Sequence, residues 1–102
     1  MDYSCLGRES VTVDATADGV TLTPAKAAMR GNIIYAKIQI QTASVRATYN
    51  GSKPVANTTG DLWDSGDEIE IWGLDDIRAA RFIREGASSG VLEVNYYGIK
   101  GG

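Results

Sequence analysis

The chain has 102 residues, 43% of them hydrophobic, with thirteen acidic side chains against ten basic ones and a net charge of −3. That size suits one domain with a core of its own, and the acidic balance lacks the concentration of Lys and Arg that phosphate binding demands. The absence of histidine removes Ser-His-Asp and Cys-His nucleophilic machinery, the usual zinc sites and the common pH switch near neutrality.

Met1 to Arg8 shows no periodicity and is expected as an N-terminal arm. It has no apolar stretch of the signal-peptide kind. No apolar run in the chain approaches the roughly 18 residues of a membrane helix. The chain is therefore expected to be soluble, made in the cytosol and without a membrane partner. Cys5 is the only cysteine, so no intrachain disulfide can form, and a lone thiol agrees with a reducing compartment.

Glu9 to Asp14 alternates, with Val11 and Val13 on one face, and Gly19 to Thr23 repeats this with Val20 and Leu22. The Asp18-Gly19 pair between them is a hairpin signal. Pro24 ends the second strand. Ala25 to Arg30 has helical spacing but is too short to hold a helix alone, so a turn is an equal reading. Ile33 to Thr42 is the longest strand, with Ile34, Ala36, Ile38 and Ile40 on one face. Tyr35, Lys37, Gln39 and Gln41 form its solvated face. Val45 to Tyr49 follows and ends at Asn50-Gly51, residues that accept the positive φ of a tight turn.

Ser52 to Gly66 reads as a long polar loop, of the kind that packs onto a neighbour or carries a function. Glu68 to Trp72 places Ile69 and Ile71 inward and Trp72 outward with Glu68 and Glu70. Leu74 to Arg84 mixes helical and strand spacing. The short flanking loops favour a bulged or bent strand over a packed helix. Val91 to Tyr97 closes the sheet, with Leu92, Val94 and Tyr96 inward and Asn95 and Tyr97 outward. The fold expected is all-β: a single-domain, jelly-roll-like β-sandwich of about seven or eight short antiparallel strands. It would occupy residues 9–97, between an arm at 1–8 and a Gly-rich tail at 98–102.

The chemistry-bearing residues are few. Asp61, Asp64, Asp67, Glu68 and Glu70, with Asp75 and Asp76 nearby, leave room for a carboxylate-pair glycosidase, but little else of an active site is present. No enzymatic activity is expected, and no cofactor. The same cluster over 61–70 offers hard oxygen donors for calcium. Its spacing fits no EF-hand loop, and a solvated acidic loop is the preferred reading. Arg78, Arg81 and Arg84 recur every third residue. They would form a stripe on a helix, or split between the faces of a bulged strand. They suit pairing with carboxylates, including Asp61 to Asp67 of another copy, or simple protection of a sheet edge. Trp63 reads equally as a lid on the core and as a contact residue. Trp63, Asp61, Asp64, Arg78, Arg81 and Arg84 are the interface candidates.

Several stretches together carry a family likeness. They are Ala36-Lys-Ile-Gln-Ile-Gln-Thr-Ala43, Val45-Arg-Ala-Thr-Tyr-Asn-Gly51 with Pro54, and Gly60 with Ser65-Gly-Asp-Glu-Ile-Glu-Ile71. Ile77 with Arg81-Phe-Ile-Arg84 and Leu92-Glu-Val-Asn-Tyr-Tyr97 complete the set. In this order the segment from Ile33 to Gly98 resembles small structural proteins of tailed bacteriophages. The resemblance implies a virion component, foremost a capsid decoration (cement) protein on the outer shell. Its implied partners are the major capsid protein and further copies of itself, often as a trimer. A neck, tail or fibre component carries the same signature. A non-catalytic carbohydrate-binding β-sandwich, using Trp63, Trp72 or Tyr97 as stacking platforms, is the alternative outside that family.

Overall fold

The computed structural model describes residues 4–24, 32–56 and 58–99. The helix or turn expected at Ala25 to Arg30 lies outside them. Among the described residues there are eight antiparallel strands and one short helix: β1 (Ser4–Val13), β2 (Val20–Thr21), β3 (Asn32–Gln41), β4 (Val45–Thr48), β5 (Asp61–Trp63), β6 (Glu68–Trp72), α1 (Leu74–Ala79), β7 (Arg81–Arg84) and β8 (Gly90–Ile99). They form two packed four-stranded sheets. Sheet A has the order β1-β8-β3-β6, and sheet B the order β2-β7-β4-β5.

The pairings β1 with β8, β2 with β7, β3 with β6 and β4 with β5 are those of one long antiparallel ribbon rolled on itself. The pairings β3 with β8 and β4 with β7 close the two sheets. This is the jelly-roll order, and the expected β-sandwich is what the chain forms. The inward rows meet between the sheets. Val13, Ala36, Ile38, Ile40, Val45, Ile77, Phe82, Leu92, Val94 and Tyr96 are completely buried there. Dry burial of this kind stabilises by roughly 25 cal/mol per Å² of apolar surface removed from water.

Several boundaries differ from the sequence reading, each for a physical reason. β1 begins at Ser4, so Ser4 to Arg8 of the expected arm lie in the sheet and pair with β8. A bulge between Cys5 and Gly7 reverses the side-chain alternation there, exposing Cys5 and burying Leu6. That reversal hides the strand from a search for strict alternation. A second bulge, between Ile33 and Tyr35, makes Ile33 rather than Ile34 the residue that packs on the core. At the other end, Gly98 and Ile99 of the expected tail extend β8, with Gly98 buried.

The Asp18-Gly19 turn is present, with Gly19 at φ 84° and its N–H donating to the Thr16 carbonyl at 2.9 Å. It leads from sheet A to sheet B, so β1 and β2 are not a hairpin. Turn chemistry fixes the local φ and not the partner of the strand that follows.

Leu74 to Arg84 is not a bulged strand. Gly73, at φ 94°, turns the chain out of β6 directly into α1. Asp75 and Asp76 occupy the first turn of α1 and Arg78 the last, matching the helix dipole. Ile77 pins this short helix to the core. β7 then sends Phe82 inward and Ile83 outward, and both are buried.

Ile83 stays covered because the outer face of sheet B is roofed. Arg46, its cross-strand neighbour, is bonded to Glu85 (Nε–Oε2 2.7 Å) and to the Gly60 carbonyl (2.9 Å). Thr48 Oγ1 donates to the Ser52 carbonyl, and Pro54 is buried near Gly19 and the Arg81 Cβ. The Ser52 to Gly66 segment is thus partly a roof. Its remainder supplies β5, a short strand that the sequence reading took for loop.

Candidate functional site

The chain covers the middle of sheet B's outer face and leaves Thr21 and Leu62 exposed at its edges; the outer face of sheet A is the other open surface. Its side chains fall into rows across the strands because the register aligns them. One row is Cys5, Tyr97, Tyr35 and Trp72, from β1, β8, β3 and β6. The next two are Arg8, Asn95, Lys37 and Glu70, then Ser10, Glu93, Gln39 and Glu68.

The first row is aromatic. Tyr97 and Tyr35 stack with centroids 4.9 Å apart and planes 8° apart, and Tyr35 and Trp72 at 4.3 Å and 26°. These separations are close to the 4.7–4.9 Å between neighbouring strands, so the rings stand on edge and cover one another's faces. Trp72 sits at the end of the row, on edge strand β6, and is 52% exposed.

The polar rows line a shallow trough of about 530 Å³. Its charges are internally matched. Arg8 Nη2 meets Glu93 at 2.6 Å, Ser10 Oγ donates to the same carboxylate at 2.8 Å, and Lys37 Nζ lies 3.5 Å from Glu68. A second groove, of about 340 Å³, opens on the flank where β5 and β6 diverge. Tyr49, Trp63, Ile69, Ile71 and Trp72 line it, with Glu68, Glu70 and Asp76 at its margin.

The interface candidates fall in different places. Trp63, at the end of β5, is half-buried against the core, and its indole N–H donates to the Tyr49 hydroxyl at 2.7 Å. It packs toward the core and also lines the groove on the flank. Burial pushes the Tyr49 phenol above its ordinary pKa, with nearby Asp61 adding to the rise. Asp61 and Asp64 are exposed, and Asp64 accepts from Ser44 Oγ at 2.9 Å.

The three arginines do not form one row. Arg78 projects from α1, while Arg81 and Arg84 occupy opposite faces of β7. Arg81 donates to the Asp18 carbonyl at 2.9 Å, and the Arg84 charge lies near Asp14. The acidic residues of 61–70 do not converge. Among the described residues, no group of three or more Cys, Asp or Glu side chains is placed to hold a metal ion. No described helix is long and apolar enough to cross a membrane.

Sequence reasoning missed two features. Tyr35 was visible as an outward residue, but nothing in the sequence sets Tyr97 and Trp72 beside it. The other is the carboxylate of Glu9, which accepts from the Tyr96 hydroxyl, from the Thr23 N–H (2.9 Å) and from Thr23 Oγ1 (2.6 Å). It ties β1 to β8 and to the segment after β2. Burial, followed by the bond to Glu9, raises the Tyr96 phenol far above its ordinary pKa.

No protein-family model, curated protein or solved structure matches the chain.

Proposed function

We propose that this chain is a structural component of a bacteriophage virion, foremost a decoration protein that binds the outer capsid shell and braces it. The observation that carries the reading is the asymmetry of the sandwich. One sheet is covered across its middle by its own chain, while the other presents a face of aligned aromatic and charged rows. Such a face suits protein contact: aromatic residues supply contact area at low entropic cost, and matched charges set register. The jelly-roll order is one that capsid proteins use, though fold alone does not assign function. The stretches that resemble small phage structural proteins are in keeping with this reading. No catalysis enters this role, and association through symmetric copies, a trimer foremost, adds buried area without new chemistry.

The test is the copy number of the chain in purified particles, measured by mass spectrometry against the major capsid protein. Near-stoichiometric abundance is expected. A handful of copies would move the chain to the neck, tail or fibre, and its absence from particles would overturn the reading.

One observation favours a second reading, a carbohydrate-binding module. Trp72 is an exposed indole at the end of the aromatic row, beside a trough rich in amide and charged side chains. Glycan-array binding that disappears in Trp72→Ala would establish it. Trp63, whose indole N–H is given to Tyr49, is the less exposed of the two tryptophans.

A further inference from the structure

The flank between β5 and β6 combines a strand edge, a groove and one sign of charge. β6 is the last strand of sheet A, and among the described residues it pairs with β3 alone. The Asp67 carbonyl accepts from the Ile40 N–H at 2.9 Å, and the Gly73 N–H donates to the Ile34 carbonyl at 2.6 Å. Backbone groups in an antiparallel strand alternate in direction. Ile69 and Ile71, which share the parity of Asp67 and Gly73, therefore bond toward β3. Glu68 and Glu70 turn their N–H and C=O groups to the open side. Their carboxylates stand on the outer face of the sheet, one repeat apart. The groove of about 340 Å³ lies beside this edge, with Tyr49, Trp63, Ile69 and Ile71 reaching its surface.

We infer that this flank receives an extended segment of another polypeptide, added as a fifth strand beside β6, whose residues alternate between basic and apolar. The alternation follows from the geometry. Strand addition places every second incoming side chain on the outer face, beside Glu68 and Glu70, and the others over the apolar groove. Cross-strand pairs of opposite charge favour this register. Lys37, across from Glu70 in the register, lies 3.5 Å from Glu68, so one base faces two carboxylates, and Asp76 in the groove lining adds a further negative charge. No Lys or Arg occurs in the sequence between Lys53 and Arg78, so neither β5 nor β6 carries a base of its own.

The occupant is not a second copy of this chain. A second β6 would set glutamate against glutamate across the new pairing, which is destabilising. Nor does any other strand qualify. No two Lys or Arg residues in the sequence stand two positions apart, the spacing that Glu68 and Glu70 require. The inference does not rest on the virion reading, since the edge, groove and charge exist in any setting.

The test titrates the full chain with a synthetic peptide of alternating lysine and valine, followed by calorimetry and by amide shifts. Binding that weakens with salt and perturbs Glu68 to Trp72 is the expected result. The exposed double variant Glu68→Lys/Glu70→Lys, with its melting temperature checked against the parent, should weaken binding by about tenfold or more. A peptide N-methylated on the amides that would face β6 should lose binding, because strand addition depends on those groups. Equal binding of the N-methylated peptide overturns the inference. Equal binding of a peptide with the same composition in separate lysine and valine blocks does so too, as does an unaffected β6. Self-association of the peptide-free chain through β6 would show that the occupant is a second copy and would overturn it as well.

Discussion

The carboxylate of Glu9 gives the sharpest test of how this sandwich is held. Tyr96 is wholly buried on the inward row of β8, and its hydroxyl reaches Glu9 on β1, which also holds Thr23 through two bonds. Tyr96→Phe keeps the ring in the core and removes only the hydroxyl, so packing changes little. Hydrogen bonds to a charged group contribute roughly 1.5–3 kcal/mol net. For a domain near this size, that corresponds to a fall in melting temperature of roughly 6–24 °C. Urea unfolding with an unchanged m-value is the assay, because an altered slope would signal a change in the unfolded ensemble instead. Glu9→Ala should cost at least as much, since it leaves the buried Tyr96 hydroxyl and both Thr23 donors without this acceptor.

The pH dependence has a definite sign. The Tyr96 phenol is raised above its ordinary value of about 10, so the unfolded chain releases this proton first. The stability it contributes is complete below about pH 10 and is lost as the pH climbs from there toward the folded value. Two results would refute the reasoning. One is Tyr96→Phe within about 0.5 kcal/mol of the parent, the range of neutral surface changes. The other is an ordinary titration of Tyr96 in the folded chain.

Three further outcomes are expected. Gly90→Ala should destabilise by about 1–3 kcal/mol in urea unfolding, because an added Cβ would lie 2.6 Å from Val45 Cγ1 and 2.7 Å from the Ala43 carbonyl. Ile77→Ala should cost about 2–5 kcal/mol and lower helical signal in the 74–79 amides, since this side chain pins α1 and is completely buried. The Asp14 carboxyl is held below its ordinary pKa by bonds from the Thr16 hydroxyl and N–H. Its contribution to stability is therefore present above about pH 4 and lost as the pH falls through the folded value. Carbon-detected titration of Asp14 in the parent and in Thr16→Ala measures this, and an unchanged midpoint in the variant would contradict it.

The two surfaces of this molecule differ in what they ask of a partner. The outer face of sheet A is matched in charge within itself and rigid through its stacked rings, which suits a broad contact with a preformed surface. The β5–β6 flank has an open backbone edge and more carboxylates than bases, with Glu68, Glu70 and Asp76 beside Lys37, which suits an extended segment. Either is open to disruption without touching the core: Trp72→Ala for the first, Glu70→Lys for the second.

The sequence by itself determined the class of fold and most of the inward rows. Ala36, Ile38 and Ile40, Ile69 and Ile71, and Leu92, Val94 and Tyr96 alternate strictly, and alternation is a property of a single strand. Trp72 and Tyr97 were legible as outward residues for the same reason. The bulge at Cys5 and Gly7 broke the alternation and concealed the start of β1, and α1 was misread because one buried isoleucine, rather than a helical stripe, holds it in place. Only the tertiary structure decided which strands pair, and so that Tyr97, Tyr35 and Trp72 form one row and that Glu9 meets Tyr96. It also decided that Ile83 is buried facing outward and that the arginines do not line up. Those relations depend on register between strands distant in the chain. The alternating pattern says which face each strand buries, but which strands lie side by side is decided by packing between segments far apart in the chain.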